Sequence, residues 1–223
     1  MKFLHQFSIR HPLPVLGLAL LVVAAAAPGI VRLELRTDGY ALVPEQRPEV
    51  IFDRQVREEF NTEDLVVVLI RSDHPDGIFN TSTLQLIQTL TRQFQALPGV
   101  QPFNVSSLDT EYSHRVKQGT LDFRRFLEPL PTTPQELERL RDDLERIEIH
   151  TGTVVSYDGT AASILVGVPA DSDRTEFYNR VQEIIAAQGE RQEEFHVIGA
   201  PVAESLLGLH ILEDLDEYGG SRL

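Results

Sequence analysis

The chain has 223 residues, 42% of them hydrophobic, enough to bury one sizeable core or two small ones. A formal net charge of -14 argues against nucleic-acid binding, which needs a basic face to replace phosphate counterions. With no cysteine, disulfides, thiolate zinc sites and thiol nucleophiles are excluded.

Residues 1–11, "MKFLHQFSIRH", carry Lys2 and Arg10 and no acid. From Pro12 to Val31 the chain is uncharged. A helix of about 20 residues at ~1.5 Å rise crosses a ~30 Å hydrocarbon core. A signal-peptide apolar region is shorter, about 7–15 residues, although Ala24–Ala27 supplies the small residues that precede a cleavage site. Length favours a retained transmembrane helix over 12–31, with residues 1–11 cytoplasmic by the positive-inside rule. Cleavage near Pro28 is the alternative. On both readings the remainder is exported.

Residues 32–62 read as an extended linker and a short helix. Leu35–Val50 mixes Gly39, Pro44 and Pro48 with charges of both signs. Phe52, Val56 and Phe60 then recur at i, i+4, i+8, which predicts the buried face of a helix.

An α+β domain is expected over 63–201. "DLVVVLIRS" (Asp64–Ser72) is a Val-rich run of the kind buried on both faces of a sheet. Asn80 or Thr81 caps a helix whose stripe is Leu86, Ile87, Leu90, Phe94 and Leu97, stopped at Pro98-Gly99. Gly99–Leu108 reads as a strand, with Pro102 marking an edge or a bulge. Gly152–Pro169 reads as a hairpin around Asp158-Gly159. Asp173 caps a helix, with Glu176 at the capping-box position, Phe177, Val181, Ile184 and Ile185 as its stripe and Gly189 at its close. Glu194–Pro201 is the last strand. Strand–helix–strand therefore occurs twice, which predicts a ferredoxin-like, split βαβ sheet with both helices on one face.

A helical insertion occupies 109–151. Thr133, Pro134 and Glu136 make a capping box with proline at the first helical position. Leu137, Leu140, Leu144 and Ile147 are spaced 3, 4, 3, a narrow seam. Two readings stay open: the seam packs on its own domain, or it meets a neighbouring subunit or domain. A last helix begins at 202, with Val202, Leu206, Leu209 and Leu212 along one side.

Chemistry is sparse. The histidines are His5, His11, His74, His114, His150, His196 and His210, and none pairs at i, i+4. Asp73, His74 and Asp76 have metal-ligating side chains, but a loop after a strand is polar anyway, and that reading is preferred to a metal site. His196 alternates with apolar residues, as a satisfied or exposed strand residue does. Glu58-Glu59 and Asp142-Asp143 are adjacent on predicted helix surfaces and so do not face one another as acid/base dyads. The sequons at Asn80 and Asn104 read as chance. No nucleophile elbow, dinucleotide fingerprint or P-loop is present. The expectation is no enzyme: no catalytic, cofactor-binding or metal residues, and no cofactor.

Several stretches in order resemble the resistance–nodulation–division (RND) superfamily, closest to its MmpL-like, hydrophobe and amphiphile exporter branch. They are "FSIRHP" before the apolar run, "TDGYALVPEQRPEV" after it, "FNTEDLVVVLI", "TLTRQFQALPGVQ", "VVSYDGTAASILVGV" and "VIGAPVAESLLGLHILEDL". The resemblance implies a transmembrane helix followed by a periplasmic porter domain, with residues 202–223 running toward a second span. It implies the bacterial inner membrane, with the N-terminus cytoplasmic and the main domain periplasmic. It also implies proton-driven export of hydrophobic or amphiphilic molecules such as lipids and drugs. The implied partners are membrane lipids, such a substrate, and the remaining transporter domains or a second porter domain. The family's proton-relay carboxylates lie in later membrane helices, and "DEYGGSRL" falls where a second span is expected. An N-terminal exporter portion that does not transport by itself is the expectation. The alternative is a stand-alone membrane-anchored periplasmic domain that binds a lipid or a protein. No basic cluster stands out in the sequence, so the cleft formed with a second porter domain is expected to be apolar.

Overall fold

The computed structural model describes residues 12–30, 44, 46–60, 62–117, 120–147, 149–169 and 172–220. Residues 1–11 and most of the expected linker, 31–43, lie outside them. The chain divides into two units, Met1–Arg36 and Thr37–Leu223.

In the first unit, α1 runs from Pro12 to Ile30, 19 residues without a charge. Leu13, Leu16, Leu18, Leu20, Leu21, Val22 and Val23 are 59% to 80% exposed, so no face of the helix is a core face. Among the described residues no helix is long and apolar enough to cross a membrane. α1 comes nearest, reaching about 28 Å against a hydrocarbon core of ~30 Å.

The second unit is a mixed α+β structure with two antiparallel sheets. Its elements are α2 (Pro48–Phe60), β1 (Asp64–Ser72), α3 (Thr81–Gln95), a 3-10 turn (Pro102–Asn104), β2 (Val105–Ser106), β3 (Tyr112–Lys117), β4 (Thr120–Arg125), α4 (Pro134–Arg146), β5 (Ala161–Val168), α5 (Arg174–Ala186), β6 (Glu193–Ile198) and α6 (Ala200–Gly220). The larger sheet has the order β2-β5-β1-β6, and each neighbouring pair is antiparallel. The two strand–helix–strand units, β1-α3-β2 and β5-α5-β6, thus interleave in one sheet. β3 and β4 form a separate ribbon.

Period-two burial decides which face carries the core. Val66, Val68 and Ile70 are fully buried and pair with Val166, Ile164 and Ala162 across β5. They meet Leu84, Ile87, Leu90 and Phe94 of α3 and Phe177 and Val181 of α5. The opposite face keeps Leu65 and Ile198 exposed, so β1 is buried on one face where its sequence predicts two.

Caps fall where the sequence puts them. The Asn80 carboxamide accepts from the Thr83 N–H, Thr133 and Glu136 form the reciprocal box, and Asp173 accepts from the Glu176 N–H. The turn before β5 is built on Asp158, whose carboxylate accepts from Ser156, Thr160 and the Thr160 N–H, with Gly159 at φ +68°. Gly199 links β6 to α6 at φ +138°, where a Cβ would run into the Leu65 carbonyl oxygen.

Four further sequence expectations need correction. The strand over Gly99–Leu108 shrinks to Val105–Ser106, because Pro102 opens a 3-10 turn and cannot donate to a ladder. The first arm of the Gly152–Pro169 hairpin contributes one bridge, Val155 to Ala162, rather than a strand. The insertion is not helical throughout, since it contains the β3–β4 ribbon. On α2, Phe52 and Phe60 are 66% and 72% exposed while Val50 is buried and Val56 half-buried, so the two phenylalanines of the i, i+4, i+8 stripe lie outside the core.

Candidate functional site

The insertion over 109–151 builds a concavity lined by charged and apolar side chains. The β3–β4 ribbon is closed at its base where the Phe126 N–H donates to the Glu111 carbonyl. The chain then turns through Glu128–Pro131 into the cap of α4. α4 sets Leu140 and Leu144 into the core, with Leu137 and Ile147 partly buried beside them, so its seam packs on its own domain. Between ribbon, turn and helix lies a cleft of about 210 Å³. Arg124, Arg125, Phe126, Glu128, Arg139 and Asp143 are among its lining residues.

The cleft is amphiphilic. Phe126 and Leu140 are almost wholly buried and supply an apolar side. Asp143 is 9% exposed, and its Oδ2 accepts from the buried Ser113 hydroxyl at 3.2 Å. Burying a carboxylate costs several kcal/mol unless it is bonded or paired. The Arg125 guanidinium lies 5.8 Å from the centre of the Tyr112 ring. The Tyr112 hydroxyl, then the charges of Glu128 and Asp109, hold Arg125 more firmly protonated than an ordinary arginine, against the opposing effect of burial. Glu136, also in the lining, accepts from the Thr132 and Thr133 N–H groups at 3.0 Å each. These bonds hold its carboxyl below the usual range.

A second depression of about 550 Å³ shares Arg124, Arg125 and Glu128 and is edged by Tyr112. A groove with three arginines is thus present in a chain of strongly negative charge. Its arginines come from two segments, 124–125 and 139, so no local run betrays them. The Arg124-Arg125 pair was the one available signal.

Residues weighed for chemistry do not converge. Arg71 Nη2 lies 3.5 Å from the Asp73 carboxylate, and His74 Nδ1 accepts the Asp76 N–H at 3.1 Å. Among the described residues no group of acids and histidines is arranged to hold a metal ion. His196 is about half exposed, 3.8 Å from Glu194. His150, in contrast, is buried, edge-on to the Phe126 ring at 5.4 Å. Asn80 caps α3, and the Asn104 carboxamide donates to Glu63 at 2.6 Å, so both sequons serve structure. Glu58 and Glu59 are exposed on α2. Asp142 is exposed but Asp143 is buried, which corrects the expectation of a surface pair. His5, His11 and the His114 side chain lie outside the described residues.

No family model matches the chain, and no curated protein does.

Proposed function

We propose that this chain is the N-terminal portion of an RND-type, proton-driven exporter of hydrophobic or amphiphilic molecules. In this reading α1 is anchored in the bacterial inner membrane and the α+β unit is the periplasmic porter domain. The observation that carries it is an uncharged helix with bare apolar surface, followed in the chain by two interleaved β-α-β units. Each exposed Leu or Val side chain forgoes about 1.5–3 kcal/mol in water, and α1 has seven of them. A lipid environment recovers that energy. The shortfall of about 2 Å against a ~30 Å core costs fractions of a kcal/mol per Å, absorbed by local thinning. The strand order β2-β5-β1-β6 supports a ferredoxin-like, split βαβ porter domain.

Proton-driven transport uses ionisable groups inside the membrane and a path flanked by several spans. α1 supplies no ionisable group. In this reading the chain by itself does not pump. Reconstitution in liposomes with a pH gradient and a fluorescent amphiphile tests this. Binding without gradient-driven movement is expected, and gradient-driven movement would overturn it.

The amphiphilic cleft favours a second reading, a stand-alone anchored domain that binds a lipid or a protein. Arg124, Arg139 and Asp143 all line it, and in this reading they form the binding site. Arg124→Ala with Arg139→Ala separates the readings. Loss of amphiphile binding by the isolated chain supports the stand-alone site. Unchanged binding returns the weight to a cleft shared with other transporter domains.

A further inference from the structure

A line of alternating charge crosses the α+β unit. It begins on α2, where Arg57 Nε donates to Asp53 Oδ2 at 2.9 Å. Arg57 Nη1 donates to Asp64 Oδ1 at 2.9 Å, at the start of β1. The other oxygen of that carboxylate, Oδ2, accepts from Arg174 Nη2 at 2.7 Å, at the start of α5. Arg174 Nη1 lies 3.1 Å from Glu204 Oε2 on α6. Acid, base, acid, base, acid follow one another, and each inner group is shared by two neighbours.

Sharing makes this more than a set of surface pairs. Asp64 and Glu204 side chains are 24% and 19% exposed, so screening is incomplete. Burial pushes the Asp64 carboxyl up, but the bonds and charges of Arg57 and Arg174 outweigh it and hold it below the usual range. Neutralising the middle carboxylate leaves two guanidiniums facing each other across it. Removing Glu204 leaves Arg174 to settle on Asp64 alone and changes what Asp64 offers Arg57.

The elements at the two ends differ in how they are otherwise held. α6 buries Val202 and Ser205. α2 buries Val50 and leaves Ile51, Phe52 and Phe60 exposed. Little apolar area ties α2 down, so its attachment leans on Arg57.

We infer that Asp64 and Arg174 form an ionic clamp coupling α2 to α6, the first and last helices of the α+β unit, so that loosening one loosens the other. The clamp does not depend on the transporter reading. In either reading it joins the first and last helices of this unit among the described residues.

Amide hydrogen exchange read by mass spectrometry on the full chain in detergent micelles tests it. Asp64→Asn, nearly isosteric, is expected to speed exchange severalfold in 48–60 and more modestly in 200–205, leaving 81–95 unchanged. The decisive variant is Glu204→Gln, which reaches α2 through Arg174 and Asp64. It is expected to speed exchange in 48–60 as well. Wild-type rates in 48–60 for Glu204→Gln would overturn the clamp. So would a rise shared equally by 81–95, which would report general loosening.

Discussion

Helices α1 and α3 are similar in length and opposite in design. In α3, Leu84, Ile87, Leu90 and Phe94 are fully buried, while Gln85, Thr89 and Gln93 face water. The apolar residues recur at helical spacing, so one stripe enters a core and the other faces solvent. In α1 every position is apolar or small, and leucines and valines are exposed all round. A stripe asks for a protein partner on one side. A helix without a polar side asks for an apolar solvent.

The largest test of that contrast is charge placed on each helix. Leu20→Asp together with Val23→Asp costs about 5–7 kcal/mol on insertion scales, from ~2.5–3.5 per central charge, and is expected to release the chain from membranes. Aspartate at the exposed Gln85 or Gln93 of α3 is expected to stay within about 0.5 kcal/mol in stability. Fractionation and thermal melts read the two. Release by neither substitution in α1 would break the comparison.

Core truncation follows. Leu90→Ala on α3 is expected to cost about 2–5 kcal/mol, and Val181→Ala on α5 about 0.5–3, measured by denaturant unfolding. Leu16→Ala on α1 should leave that unfolding transition in place, because the side chain has no core to leave.

Smaller still is the cap of α4. Thr133→Ala is expected to cost about 0.5–2 kcal/mol, since the Glu136 N–H loses its side-chain acceptor. The smallest effect is electrostatic. Asp158 accepts three hydrogen bonds that lower its carboxyl from 3.8 to about 2. A depressed folded value stabilises above the unfolded one and is lost as pH falls, here between about 4 and 2. Asp64 acts in the same direction. Carboxyl titration by NMR should find the Asp158 midpoint near 2, and Asp158→Asn should flatten part of the acid limb.

Legibility tracked how local the signal is. The caps at Asn80, Thr133 and Asp173 need three or four residues each, and the sequence carried them. The stripe of α3 needed one helix. The β3–β4 ribbon was missed because Tyr112–Arg125 is short and mixes charge with apolar residues, leaving no clean alternation. The stripe on α2 misled because spacing is blind to partners. The side of α2 that turns inward carries Val50, Asp53, Val56 and Arg57, and Arg57 reaches Asp64 from it. The cleft was illegible because Arg124 and Arg139 meet through tertiary packing.

The central claim is that α1 stays in the bilayer and holds the α+β unit to it. The most direct measurement is intact mass of the chain recovered from alkaline-washed membranes, with the soluble fraction weighed alongside. The account predicts a membrane-retained protein that still contains residues 12–30. A soluble protein beginning near Pro28 would contradict it.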